Sequence, residues 1–226
     1  MSQIKENLLR VMERIENASQ RVGRDSSGIK LVAVSKTVES ARIREAIEAG
    51  VSILGENYVQ EAQKKIEEMD RPVAWHFIGH LQSNKAKYAV RLFDMIHSLD
   101  SLPLAEELNR RAKQAGRITP VMIELKLSQE TTKFGVDKER LFNLAKGIRD
   151  LSSLSLEGLM TMPPYFDSPE RSRPYYMELR KLKEEMAREG IPIKDLSMGM
   201  SNDFEIAIEE GATYVRVGTA IFGTRK

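Results

Sequence analysis

Residues 30–50 read KLVAVSKTVESARIREAIEAG, and this stretch decides the fold. Its opening LVAV is too apolar for a half-exposed antiparallel strand. It reads instead as a parallel strand buried on both faces, Lys30–Ser35. Glu39–Ala49 then reads as a helix closed by Gly50, the usual left-handed stop. The same unit recurs to the end of the chain. Short strands are expected near Ser52–Leu54, Ala74–Ile78, Asp94–Ser98, Pro120–Leu125, Leu156–Met160, Asp195–Ser197 and Thr213–Val217, eight with the first. Helices are expected between them near 57–68, 84–91, 102–115, 138–150, 169–189 and 203–210, and Gly116, Gly190 and Gly211 stop three of these.

Eight buried strands joined by helical crossovers imply an α/β fold of the (β/α)8 TIM barrel type. An amphipathic N-terminal helix over 4–22, with Ile4, Leu8, Val11, Ile15 and Val22 on one face, would fill the outer position that the short tail after Val217 leaves. An open doubly wound sheet is the alternative, but it needs no such substitute helix and would not spread motifs over nearly every strand end. No linker or low-complexity stretch interrupts the sequence, so residues 1–226 are expected to form one domain.

Composition narrows the function. Hydrophobic residues make up 41% of the chain, ample for a core, and the 30% that are charged nearly cancel to a net +2. That balance gives no reason to expect nucleic acid or an anionic membrane as partner. The absence of cysteine excludes disulfides, thiolate nucleophiles and cysteine-ligated metals. The start, MSQIKENLLRVMERIENA, is charged through every turn and lacks the apolar centre of a secretion signal. No apolar run approaches the roughly 20 residues that cross a bilayer. A cytoplasmic protein is expected.

In such a barrel the functional residues sit at the C-terminal ends of the strands. Those ends carry Ser35-Lys36, Glu56-Asn57, Gly79-His80, His97-Ser98, Glu124 to Lys126, Thr161-Met162, Ser197 to Asn202 and Arg216 to Thr219, a polar set after apolar strands. Burial of Lys36 at the first strand end would disfavour its ammonium form, as an imine-forming lysine requires. The plain alternative is a lysine in solvent or in an ion pair. In SMGMSNDFEIAIEEG, residues 197–211, Ser201 reads as a helix N-cap whose hydroxyl and following backbone N–H groups make an anion site, or as an ordinary cap. In TYVRVGTAIFG, residues 213–223, Gly218 would let backbone amides approach a phosphate and Thr219 adds a hydroxyl; an ordinary turn is the alternative. Phosphate held after strands seven and eight recurs in barrels. Alternation sends Arg216 to the same side as Gly218, where its guanidinium needs an acceptor. That could be a carboxylate such as Glu56 or Glu124, or a pyridine nitrogen left unprotonated by a permanently charged arginine. His76 and His80 bracket a strand end rather than share a helix face, so no metal site is expected. His97 reads as strand-end packing.

The segments LVAVSKT, GENYVQEA, WHFIGHLQSNK, GLMTMPP and LSMGMSNDFEIAIEEGATYVRVGTAIFG, in that order, resemble the PLP-binding homeostasis proteins of the YggS/PROSC type. The likeness runs from about residue 5 to 225. These proteins in turn resemble the N-terminal barrel of fold-type III enzymes that use pyridoxal 5′-phosphate (PLP), such as alanine racemase. The resemblance implies a PLP Schiff base on Lys36, phosphate contacts from Ser201, Gly218 and Thr219, and Arg216 facing the pyridine nitrogen. It implies Asn57 near the cofactor, with His80, Met200 and Asn202 as further pocket neighbours. No catalytic residue is implied. A racemase needs two positioned bases, and in fold type III the second comes from a C-terminal β-domain that this chain is expected to lack. The expected function is PLP homeostasis without a dedicated reaction, by a monomer whose recipients are apo PLP-dependent enzymes. Two alternatives stand beside it. One is a racemase-like PLP enzyme acting on amino acids. The other is a Schiff-base barrel enzyme without PLP, such as an aldolase, which leaves Arg216 no role.

Overall fold

The computed structural model describes residues 2–69, 71–128 and 134–224. Eight parallel strands follow one another around a closed barrel: β1 Lys30–Val34, β2 Ile53–Glu56, β3 Ala74–Phe77, β4 Met95–Leu99, β5 Thr119–Leu125, β6 Leu154–Thr161, β7 Asp195–Met200 and β8 Tyr214–Val217. Pairing of β8 with β1, in the register Val32 to Arg216, closes the circle and excludes the open sheet. Around it lie α1 Gln3–Arg21, α2 Ser40–Glu48, α3 Val59–Glu68, α4 Ala86–Leu92, α5 Leu102–Gln114, α6 Leu141–Arg149, α7 Arg173–Arg188, α8 Phe204–Glu209 and the single-turn α9 Thr219–Phe222.

Helix α1 fills the outer position beside β8 and β1. Ser2 caps it, and it buries Ile4, Leu8, Val11 and Ile15 against α2, α8 and α9. Asn7 donates to the Ile221 carbonyl of α9 at 3.0 Å, and Arg14 forks onto both carboxylate oxygens of Glu205 on α8 at 2.9 and 2.8 Å. Val22, expected on the apolar face, is instead 42% exposed, because the helix ends at Arg21 and Val22 turns the chain away.

Strand β7 runs three residues beyond its expected end at Ser197. The register against β8 shifts between Ser197 and Met200, and Gly199 sits at φ 90°, a value that L side chains rarely adopt. A Cβ there would also lie 2.8 Å from the Phe204 Cα. The irregular strand thus packs directly under α8, and its small and polar residues hide it from a reading by apolar pattern.

Alternation divides the core in two. Outward residues such as Ala33, Leu54, Phe77, Ile96 and Ile123 meet the helices. Inside the barrel, Val32, Met95, Met122, Met160 and Tyr214 pack with Ile53 as an apolar plug. Beside this plug the interior turns polar. His76 Nδ1 bonds His97 Nε2 at 2.9 Å, His97 Nδ1 bonds Ser197 Oγ at 2.9 Å, and Arg216 Nη1 donates to the same Oγ at 2.7 Å. Burial drives the His76 pKa down to about 4 and holds His97 well below its ordinary value, so both rings are neutral at pH 7. His97 is therefore a link in a buried hydrogen-bonded chain rather than packing at a strand end.

Candidate functional site

A cavity of about 780 Å³ opens at the C-terminal ends of the strands, within the usual range for a small-molecule site. Lys36, Asn57 and His80 line one part of it; Met200, Ser201 and Asn202 another; Arg216, Gly218 and Thr219 complete it. All nine residues singled out in the sequence therefore share one cavity.

Lys36 is half-buried and occupies the second position of a turn closed by Val38 N–H donating to the Ser35 carbonyl at 2.9 Å. Asn57 follows β2, seated against the end of β3. A Cβ on Gly79 would lie 2.4 Å from the Asn57 carbonyl oxygen, so only glycine allows that approach. The Asn57 side-chain oxygen is buried and has no hydrogen-bond partner among the described residues, an arrangement that favours a polar ligand atom beside it. His80 stacks on Phe134 with ring centres 3.8 Å apart, and its Nδ1 lies 3.5 Å from the Asp100 carboxylate. Asn202 donates to the Phe166 carbonyl at 3.0 Å and so ties the loop after β6 to the cavity.

Ser201 does not cap α8. That position belongs to Asp203, whose carboxylate accepts from the Met200 N–H at 2.8 Å and the Ser172 hydroxyl at 2.8 Å. The bulged end of β7 swings Ser201 toward the turn after β8, where its Oγ accepts from the backbone N–H groups of Gly218 at 3.2 Å and Ala220 at 3.4 Å. The convergent amides thus come from the β8–α9 turn. Gly218 keeps that turn close to β1, since a Cβ there would press on Val34 at 3.3 Å.

Arg216 is 5% exposed and makes no direct carboxylate pair among the described residues. Nη1 donates to Ser197 and Nη2 to the Thr161 carbonyl at 2.9 Å. Glu56, considered as its partner, points outward from β2 and bonds Ser35 and Lys65 instead. A guanidinium has five N–H donors, so its remaining ones are available to a ligand. Burial pulls the Arg216 pKa down, opposed by Tyr176, Glu124 and Asp203.

Glu124, on the same cavity wall, has its carboxyl pushed up to about 7, chiefly by burial; Arg216 pulls it down and Asp100 pushes it up. Its folded-state pKa lies above the ordinary 4.5, so the folded protein favours the protonated form and loses stability as pH rises from about 4.5 through 7. That rise corresponds to about 3 kcal/mol. Glu124→Gln in cofactor-free protein is expected to gain about that much over the unsubstituted chain between about pH 4 and pH 8, read by urea unfolding. A gap that stays constant with pH contradicts the assignment.

Sequence reasoning missed Lys65 and the aromatic wall. Tyr58, Phe134, Tyr165 and Phe166 line the cavity, and Tyr165 is 75% exposed. Nothing local marks them, since they lie in loops without periodicity. Lys65 did carry a signal: it falls on the buried Val59–Ala62 face of α3, where a lysine is out of place.

The chain matches the family described as alanine racemase, N-terminal domain, over residues 3–226. It is 48% identical over 223 residues to a pyridoxal phosphate homeostasis protein of Aquifex aeolicus, covering 98% of each chain. It is 42% identical to the protein of that name from Pseudomonas aeruginosa, covering 100% of this chain and 97% of that one. The structure of PipY from Synechococcus elongatus with PLP bound superimposes with a TM-score of 0.82 at 37% identity, over 97% of this chain and 100% of that one. Alanine racemase of Clostridium difficile shares the fold at 16% identity and a TM-score of 0.76, over 57% of its length. On the strength of these full-length matches, the chain belongs to the alanine racemase N-terminal domain family and, within it, to the pyridoxal phosphate homeostasis proteins.

Proposed function

We propose that this chain binds PLP in the cavity at the strand ends, with Lys36 as the covalent attachment point, and holds it for homeostasis rather than for a dedicated reaction. The observation that carries this is the convergence in one cavity of an amine, a buried guanidinium with donors to spare, and the Ser201 hydroxyl, on whose oxygen two amides of the β8–α9 turn converge. These fit the three functional parts of PLP: aldehyde, pyridine nitrogen and phosphate. When bound, PLP supplies an aldehyde carbon that an amine can attack. Lys36 provides that amine, and Ser201, Gly218, Thr219 and the Ala220 amide anchor the phosphate. Arg216 donates to the ring nitrogen and, being permanently protonated, leaves it unprotonated and the ring a weaker electron sink. Asn57 faces the cofactor, while His80, Met200 and Asn202 shape the surrounding wall. Relatives of the same length carry the homeostasis name, and PipY is described with PLP bound; both support the reading.

Purified protein supplied with PLP is expected to turn yellow, and borohydride followed by peptide mapping should fix a pyridoxyl group on Lys36. Protein that stays colourless refutes the proposal. We further read the protein as a monomer that passes PLP to apo-enzymes. Transfer from loaded protein is then expected to be faster than from free PLP at equal concentration, as read by recovery of an apo-enzyme's activity.

One observation favours an amino-acid enzyme as the second reading: Glu124 is buried on the cavity wall, and that burial pushes its carboxyl up to about 7, the range in which a general base works best. Repeated turnover of any amino acid by the loaded protein would establish it; consumption limited to one equivalent supports the carrier.

A further inference from the structure

The turn that presents Lys36 is held by a buried cluster of charges behind the barrel wall. Ser35, Lys36, Thr37 and Val38 form the turn, and its third residue, Thr37, has φ 62°. It is the one non-glycine residue with positive φ among those described, in a position where glycine or asparagine is usual and a β-branched residue is strained. Such strain persists only where surrounding contacts over-determine the conformation, and it collects at functional sites.

Those contacts come from β2 and α3. The Lys65 ammonium, 6% exposed, donates to the Ser35 carbonyl at 2.6 Å, to Glu56 Oε1 at 2.8 Å and to Glu61 Oε1 at 2.7 Å. Glu56, fully buried, also accepts from the Ser35 hydroxyl at 2.6 Å, and Glu61 accepts from the Thr37 N–H at 2.5 Å. The residues on either side of Lys36 are therefore tied by their backbones to one ionic cluster. The Ser35 carbonyl serves twice, closing the turn and receiving Lys65. Apolar residues of similar volume would satisfy packing at this place, often with equal or better stability, so the cluster needs a role other than holding the barrel together.

We propose that Lys65, with Glu56 and Glu61, is a positioning clamp that forces the strained turn at Thr37 and so aims Lys36 into the cavity for covalent attachment of PLP. None of the three clamp residues is among those that line the cavity. It acts through the backbone of Ser35 and Thr37. This inference rests on the reading of Lys36 given above.

Lys65→Met together with Glu56→Gln removes the buried charges while keeping their volume, and Glu61 then loses what holds it against Thr37. Circular dichroism and thermal melting establish that the full chain remains folded. The PLP concentration that half-saturates borohydride-trapped Lys36 is expected to rise about tenfold, as relaxation of a strained backbone toward its preferred region implies. Affinity for pyridoxine 5′-phosphate, which has the ring and phosphate but no aldehyde, should stay within about twofold. Adding Thr37→Gly, which makes the left-handed conformation free of strain, should restore trapping. The proposal is overturned if the double variant traps PLP as the original does, if both affinities fall together, or if Thr37→Gly restores nothing. Failure of the unsubstituted chain to trap PLP on Lys36 would sink the functional reading instead. The clamp is then judged in cofactor-free protein: faster hydrogen exchange at the Thr37 amide in the double variant supports it, and unchanged exchange overturns it.

Discussion

Lys36→Ala is expected to abolish covalent attachment of PLP completely, so that borohydride leaves no pyridoxyl mass on the protein. Lys36 is the lysine at the end of β1 that lines the cavity, and its turn is set from behind by the Glu56–Lys65–Glu61 cluster. Lys85, also on the cavity wall, ends the single helical turn Ser83–Lys85 after β3 and lies three strands from β8 in the order of the barrel, so it is no substitute. Alanine removes the amine but leaves Ser201, the amides of Gly218 and Ala220, and Arg216 in place. Residual, non-covalent binding is therefore expected, with the absorbance of the free aldehyde. Intact mass spectrometry after reduction reads the result directly. A pyridoxyl adduct of undiminished yield on the variant would mean that another lysine carries the cofactor.

Ser201→Ala combined with Thr219→Val should weaken PLP binding by roughly a hundred- to ten-thousand-fold. A hydrogen bond to a charged group contributes about 1.5–3 kcal/mol, and two are removed at once. The geometry supports treating them together: Ser201 Oγ lies on the Gly218 and Ala220 amides, and Thr219 stands between those two residues on the same cavity wall. The fold should tolerate both changes, since neither side chain belongs to the apolar core. Equilibrium dialysis of PLP, or of pyridoxine 5′-phosphate where the covalent link complicates the reading, measures the loss. Unchanged affinity would place the phosphate elsewhere.

The barrel was legible because parallel strands buried on both faces leave a strong local signature. LVAV at β1 and YVRV at β8 are unlike anything a helix surface allows, and glycines at positions 50, 116, 190 and 211 mark where helices stop. The candidate site was legible for a related reason: polar residues directly after such strands have one end of the barrel to occupy. What could not be read was which group answers which. Ser201 was expected to serve its own helix and serves the turn after β8. For Arg216 the residues left a carboxylate such as Glu56 or Glu124 open beside a ligand's ring nitrogen, and its bonds within the protein go to Ser197 and the Thr161 carbonyl. Glu56 pairs with Lys65 on the outer side of the sheet, and His97 links His76 to Ser197 in the interior. Each of these depends on a bulge, a register shift or a strand's facing, which a one-residue slip reverses.

By itself, then, the sequence determined the eight strands, the substitute helix at the N-terminus and the set of nine residues that meet at one mouth. The strands and the helix follow from periodicity, and Lys36, Ser201, Arg216, Gly218 and Thr219 from strand-end position and short-range turn chemistry, which neighbours along the chain specify; Asn57, His80, Met200 and Asn202 came from the family resemblance of the motifs that carry them. Only the tertiary structure decided that two amides of the β8–α9 turn converge on Ser201, that Arg216 rests on a neutral histidine–serine chain, and that a buried lysine on α3 braces the turn bearing Lys36. Those contacts join residues as many as a hundred positions apart, as His97 and Ser197 are. Their partners are chosen by closure of the barrel, which no local pattern encodes.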